Sequence, residues 1–187
     1  GDIEKARRLI VEAVYHLRTV GENRPLATAL HSLGSIEVTL QHYEESFKAY
    51  REALIIRKQS GNIADVVQVL GSLGNLEVTQ GDFSSAYHYF REALQTILTD
   101  DNQRQANNIL WDIATMLTKA EDRQRALTYL YWVKRNKQQF GQNYTEERLA
   151  EEIQKLEFRL RKQAIDTARA DAETLKVTDV ILFLSST

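Results

Sequence analysis

Apolar residues recur along the chain at three- and four-residue spacing, and that pattern itself returns every 40 residues. A shift of 40 lays Leu30, Ser32, Leu33, Gly34, Glu37, Val38 and Thr39 on Leu70, Ser72, Leu73, Gly74, Glu77, Val78 and Thr79. The same shift lays Arg51-Glu52-Ala53-Leu54 on Arg91-Glu92-Ala93-Leu94 and Asn62 on Asn102, giving 12 identities in the 40 positions from Asn23 to Asn62. Unrelated sequence of average composition would give roughly two. A third, degenerate copy keeps the spacing, with Leu110, Ile113, Ala114, Ala126, Tyr129, Leu130 and Val133 at the positions of Leu70, Leu73, Gly74, Ala86, Tyr89, Phe90 and Ala93. At a shift of 80, Gly1, Asp2, Ile3, Ala6, Glu12 and Ala13 fall on Gly81, Asp82, Phe83, Ala86, Glu92 and Ala93, so the sequence opens in the second half of a copy. A fixed period of this length signals stacked supersecondary units.

Each copy reads as two amphipathic helices. Pro25 suits a helix's opening turn, where its missing N–H costs nothing, and Leu26, Leu30, Leu33 and Ile36 follow at helical spacing. Polar Gln41-His42 interrupts the run. Tyr43, Phe47, Tyr50, Ala53, Leu54 and Ile56 form the second helix, which Ser60-Gly61-Asn62 ends, with Gly61 able to adopt the left-handed conformation that closes a helix. The organisation expected is a half repeat over 1–22, repeats over 23–62, 63–102 and 103–143, and a C-terminal segment over 144–187. In that segment Thr145 with Glu146 and Glu147 marks a helix start, and the apolar positions from Leu149 to Leu175 predict one long or slightly broken helix that caps the array with a polar outer face. The last apolar run, Val180 to Leu184, is five residues long. It either folds back on the array or serves a partner or self-association.

Composition narrows the function classes. Eight glycines and one proline in 187 residues argue against β sandwiches, barrels and Pro/Gly-rich linkers. A formal charge of -2 with interspersed signs offers no broad positive field for nucleic acid. The absence of cysteine removes disulfides and thiolate chemistry and fits a cytoplasmic setting. No apolar run approaches the ~20 residues of a membrane span, and the first residues lack the layout of a signal peptide.

The repeated residues resemble those of the tetratricopeptide repeat family. Leu30, Leu33-Gly34, Tyr43, Ser46, Tyr50 and Ala53 fit its signature, as do Leu70, Leu73-Gly74, Phe83, Ala86, Phe90 and Ala93. The departures are a period of 40 rather than the usual ~34 and acidic Glu37 and Glu77 where the family often has Tyr or Ala. Longer repeats of this kind are similar to those of kinesin light chains and of the sensor regions of bacterial transcription activators and signalling ATPases. Gly81-Asp82-Phe83 with Arg91-Glu92-Ala93-Leu94 is similar to the bacterial arrays in particular. The resemblance implies an all-α, right-handed superhelical solenoid of antiparallel hairpins that binds proteins or peptides without catalysis or cofactor. The expected setting is a larger bacterial signalling or transcription regulator. A self-association module, dimerising through end helices or the tail, and a free-standing adaptor are the alternatives.

In such arrays the first helices line a concave groove. Carried over by position, it is lined by Thr28, His31, Ser35, Gln68, Ser72, Asn75, Asn108, Trp111, Asp112, Thr115 and Lys119. Gly71 joins them, because a glycine inside a helix costs about 1 kcal/mol relative to alanine and so suggests close approach of a ligand. Trp111 reads either as an apolar anchor or as core. The first helices carry few positive charges, which disfavours an acidic-tail ligand. Glu37 and Glu77 read as an acidic ladder for a basic partner or as partners of nearby arginines. His16, His31, His42 and His88 show no metal-ligand spacing, and Asp100-Asp101-Asn102 reads as helix capping. Lys134, Arg135 and Lys137, near Trp132 and Phe140, read as a solvated basic face.

Overall fold

The computed structural model describes residues 2–98, 106–136 and 144–185, which form ten helices and no strand. They are α1 (Asp2–Val20), α2 (Asn23–Thr39), α3 (Tyr43–Ser60), α4 (Ile63–Gln80), α5 (Phe83–Leu98), α6 (Ala106–Lys119), α7 (Arg123–Asn136), α8 (Glu146–Arg159), α9 (Lys162–Thr174) and α10 (Val177–Ser185). The pairs α2/α3, α4/α5 and α6/α7 pack as antiparallel hairpins, α1 packs on α2, and α3 joins the first hairpin to α4. One hydrophobic core runs through the whole stack from Val14 to Leu184. The expected all-α solenoid is the fold observed. Asp100, Asp101, Asn102, Lys137, Phe140 and Gly141 lie outside the described residues.

The repeat register recurs in three dimensions. Within a hairpin, α2 and α3 approach closely because Gly34 faces the Tyr50 ring, where a Cβ would lie 2.5 Å from ring carbons. Gly74 meets Phe90 in the same way and at the same distance. The turns also repeat, with a left-handed residue at Gln41 (φ 63°), Gly81 (φ 82°) and Glu121 (φ 65°), each 40 residues after the last. Two exposed ion pairs repeat as well, Arg18–Glu52 and Lys58–Glu92, tying successive second helices together. Pairs of this exposure contribute about 0–1 kcal/mol each, so register is kept mainly by the buried apolar set.

The C-terminal segment departs from the expectation of one long or slightly broken helix. Leu160 and Arg161 are extended (ψ 151° at both), separating α8 from α9, and the chain turns again at Leu175 before α10. Tertiary contacts explain the turn at Leu175. The last carbonyls of a helix need partners, and α7 supplies them to α9. Arg135 Nη1 donates to the Ala172 and Glu173 carbonyls at 3.2 and 2.6 Å, and Trp132 Nε1 donates to the Leu175 carbonyl at 3.1 Å. Arg135 therefore serves as a capping group as well as part of a basic face. Helices α8 and α9 pack on α7, and α10 runs back onto α5, burying Val180 and Leu184. Phe183 meets Tyr87 edge-on at 5.9 Å under the Arg125 guanidinium at 3.9 Å. The apolar tail folds back on the array.

Candidate functional site

Helices α2, α4 and α6 succeed one another at a spacing of 40 residues, so equivalent side chains form rows across the hairpins. His31, Gly71 and Trp111 make one row, and each faces the next element of the array. His31 Nε2 lies 2.9 Å from Ser72 Oγ on α4 and 5.3 Å, ring to ring, from Tyr50. Gly71 faces α6, where a Cβ would lie 3.1 Å from Ile109 Cδ1 and 3.5 Å from Asp112 Oδ2. Its missing side chain admits the neighbouring helix, which corrects the expectation that it opens space for a ligand. Trp111 is 5% exposed and stacks on Tyr144 at 4.5 Å and 18°, with the Arg148 guanidinium 5.5 Å from its ring centre. Of the two readings of Trp111, the structure shows core.

The remaining predicted residues fall into a polar line. Ser35 Oγ contacts Tyr50 Oη at 3.0 Å and Ser72 reaches His31, while Asn75 hydrogen-bonds the Asp112 carboxyl across the α4/α6 seam. Thr28, Ser35, Gln68, Asn75 and Lys119 are exposed, and His31, Ser72, Asn108, Asp112 and Thr115 are half-buried. The hydroxyls share one habit. Thr28, Ser35, Ser72 and Thr115 each donate to the carbonyl four residues earlier, at 3.0 to 3.3 Å. With the proton held by their own helix, these oxygens act as acceptors, Ser35 toward Tyr50 Oη and Ser72 toward His31 Nε2.

Two groups in it have shifted protonation. Burial, helped by the Arg57 charge and opposed by Asp65, pushes His31 down to about 4. The imidazole is therefore neutral near neutral pH. Burial pushes Asp112 up to about 7, against the Asn75 hydrogen bond and the Arg148 charge. A carboxyl raised from 3.8 to about 7 keeps in the folded chain a proton that the unfolded chain loses. Its contribution to stability is full below about pH 4 and is lost as the pH rises through about 7. His31 acts oppositely, contributing above about pH 6.5 and losing that contribution as the pH falls through about 4. Asp112→Asn leaves His31 in place, so its melting temperature is expected to exceed that of the wild type by a margin that grows between about pH 4 and pH 8. A margin independent of pH in thermal scans would overturn the assignment.

Two sequence readings resolve here. Glu37 is 2% exposed and paired with Arg7 Nε and His42 Nδ1, both at 2.8 Å, so it holds α1 against the first hairpin and is not available to a partner. Phe47 stands on α3 where Arg7 stands on α1, and Glu77 has no ion pair among the described residues. Burial, with Asp82 nearby, raises its carboxyl above the ordinary range. No group of three or more metal-binding side chains occurs among the described residues, and no described helix is long and apolar enough to cross a membrane.

Attention to first helices alone missed Arg57, on α3. It is 6% exposed, and its Nη1 donates to the Asp65 carbonyl at 3.0 Å and to Gln68 Oε1 at 2.9 Å. The 40-residue register carries part of the signal: Leu17 and Ile97 are aliphatic where Arg57 and Lys137 are charged. Beside it, a cavity of about 710 Å³ opens between α1, α2, α3 and the start of α4, with Thr28 and Ser32 on its wall.

Comparison with known proteins gives three findings. The tetratricopeptide repeat family matches residues 25–99. No curated protein matches the chain. Among solved structures, the crystal structure of BtubC (BKLC) from P. vanneervenii is similar in fold, with a TM-score of 0.70 over 100% of this chain and 74% of that one, at 16% sequence identity.

Proposed function

We propose that the face of α2 and α4 which carries the polar line binds a peptide or protein segment, a reading supported by the match of residues 25–99 to the tetratricopeptide repeat family, whose general work is protein–protein interaction. One observation carries this reading. The C-terminal helices pack on the second helices α5 and α7, while Thr28, Ser35, Gln68 and Asn75 on the first helices stay exposed. The exposed Thr28 hydroxyl and the Gln68 and Asn75 amides suit the polar groups of an extended backbone. Such repeats are typically non-catalytic scaffolds, and the reading assigns no reaction to this one.

The wider context proposed is the interaction or sensor region of a larger bacterial signalling or transcription regulator in the cytoplasm. Its support is the likeness of Gly81-Asp82-Phe83 and Arg91-Glu92-Ala93-Leu94 to the arrays of such proteins. Partner binding would there act on the packing between repeats, since each hairpin contacts mainly its neighbours.

Blocking the face tests the site. Ser35→Trp and Asn75→Trp place bulk on exposed positions, and Phe158→Ser on α8 alters a side chain that is 92% exposed elsewhere. With fluorescein-labelled random hexapeptide pools, the two tryptophan variants are expected to bind at least tenfold more weakly than wild type at equal helicity, and Phe158→Ser to bind unchanged. Unaltered binding by both tryptophan variants would remove the face from consideration.

A further inference from the structure

Tyr129 on α7 is 3% exposed, and its hydroxyl has no hydrogen-bond partner among the described residues. The other two buried tyrosines differ. Tyr50 Oη meets Ser35 Oγ at 3.0 Å and Tyr144 Oη accepts from Asn107 Nδ2 at 2.8 Å, as buried tyrosine hydroxyls ordinarily find a partner. The Tyr129 side chain instead lines a cavity of about 560 Å³ where α7, α9 and α10 meet. Burial raises its phenol above the ordinary range, opposed by Arg125 and helped by Asp122, Tyr87 and Asp179. Three of those four groups line the same cavity, so the hydroxyl end points into it, with its proton in place.

The rest of the wall is rich in acceptors and short of donors. Thr128 and Thr174 give their hydroxyl protons to the Gln124 and Asp171 carbonyls at 3.1 and 3.3 Å, which leaves their oxygens as acceptors. Arg125 is the only cation among the described residues of the lining, and the Asp122 carboxylate and the Phe183 ring already engage its guanidinium. The Asp171 carboxylate has no hydrogen bond or ion pair among the described residues, and Asp179 accepts from the Lys176 N–H at 3.0 Å through one oxygen only. Three carboxylates against one guanidinium leave the wall two negative charges in excess. No group of three or more side chains suited to a metal ion occurs among the described residues, so the cation that fits is organic. Leu175 and Phe183 add an apolar side, and the volume lies in the range of about 300–1,000 Å³ of small-molecule sites. An ammonium group on a short alkyl chain brings positive charge, three N–H donors and methylenes together. We propose that this pocket binds a small organic ammonium compound, its N–H groups donating to the Asp171 and Asp179 carboxylates and the Tyr129 hydroxyl oxygen, its methylenes against Leu175 and Phe183. Asp171 belongs to α9 and Asp179 to α10, so the ligand bridges the turn at Leu175 and holds the tail on the array. The site is separate from the peptide face on α2 and α4.

Calorimetric titration of the full chain with ethylamine and with 1,4-diaminobutane at low ionic strength tests this, with magnesium chloride as the inorganic comparison. Both amines are expected to bind saturably, one per chain, and the diamine to slow hydrogen exchange of the α10 amides. Asp171 is exposed, so Asp171→Asn should keep the wild-type melting temperature while weakening both amines at least tenfold. Tyr129→Phe keeps the ring, removes the oxygen and should weaken them severalfold. Glu151→Gln, which removes an exposed carboxylate from α8, should bind as wild type does. Equal weakening in Asp171→Asn and Glu151→Gln, or none in Asp171→Asn, would reduce the effect to general attraction of counter-ions and overturn the pocket. Binding that survives Tyr129→Phe in full would overturn the part given to the hydroxyl. Magnesium that displaces the diamine with equal affinity at matched ionic strength would overturn the organic ligand. Absence of saturable binding by either amine would overturn the proposal as a whole.

Discussion

Phe90→Ala is expected to lower stability by about 3–5 kcal/mol, the range for removing a fully buried aromatic ring. The ring has no exposed surface and sits at the centre of the stack, on α5 against Gly74 of α4. Its loss opens a void that neighbours on both sides of the hairpin cannot close without moving helices. The companion substitution shows that the contact is specific. Gly74→Ala gains about 1 kcal/mol of helix propensity but places a Cβ 2.5 Å from the Phe90 ring. Since something must shift, overpacking of about 1–3 kcal/mol should prevail. In a Phe90→Leu background the clash is relieved and the alanine should cost less or stabilise. Chemical denaturation of the four proteins gives the coupling directly, and additivity within about 0.5 kcal/mol would show that Gly74 and Phe90 do not act as a pair.

Trp111→Ala is expected to cost a similar 3–5 kcal/mol and to loosen α8 from the array first. The indole is held from the C-terminal side by Tyr144 and Arg148, and Tyr144 Oη accepts from Asn107 Nδ2 at 2.8 Å. Asn107 is itself fully buried, so removing the indole exposes the α6 side of a polar contact that depends on exclusion of water. Hydrogen exchange separates local from global loss. Amides of α8 should lose protection at denaturant concentrations where α4 and α5 keep theirs. Uniform loss across all helices would mean that Trp111 is ordinary core and not the anchor of the C-terminal segment. Tyr144→Ala, which keeps the indole but removes its stacking partner, should reproduce the α8 effect at smaller magnitude.

The outcome at Trp111 also illustrates what a sequence can say about a groove. His31, Gly71 and Trp111 are equivalent by register, and position alone assigns all three to a binding face. In the structure that row faces along the array: His31 touches α4, Gly71 touches α6, and Trp111 touches the entry to α8. The residues one or four positions on, Ser72, Asn75 and Asp112, form the polar line with Ser35 and Gln68, and of these Ser35, Gln68 and Asn75 are exposed. A period of 40 identifies which positions are equivalent, but it does not fix the rotation of one hairpin on the next. That rotation decides whether a row meets solvent or a neighbour.

Arg57 makes the complementary case. Its charge stands out from Leu17 and Ile97 in the register, although the next copy carries Lys137 there, and its contact with Gln68 depends on the end of α3 crossing the start of α4. The long C-terminal helix that periodicity predicts fails for a related reason. The helical pattern runs on past Thr174, but Arg135 and Trp132 of α7 take the carbonyls at the end of α9, and the chain turns there.

Sequence by itself determined the hairpins, their boundaries at Gln41 and Gly61, the core set from Leu30 to Val133 and the close-packing glycines at 34 and 74. These follow from interactions within one 40-residue unit, where apolar spacing and side-chain volume specify the contact. Tertiary structure decided which rows remain open, how the chain after Tyr144 breaks and folds back over α7 and α5, and that a cation from α3 stands behind the α2/α4 face. Those features arise between units, where the angle of one helix pair on the next selects among partners that no local pattern ranks.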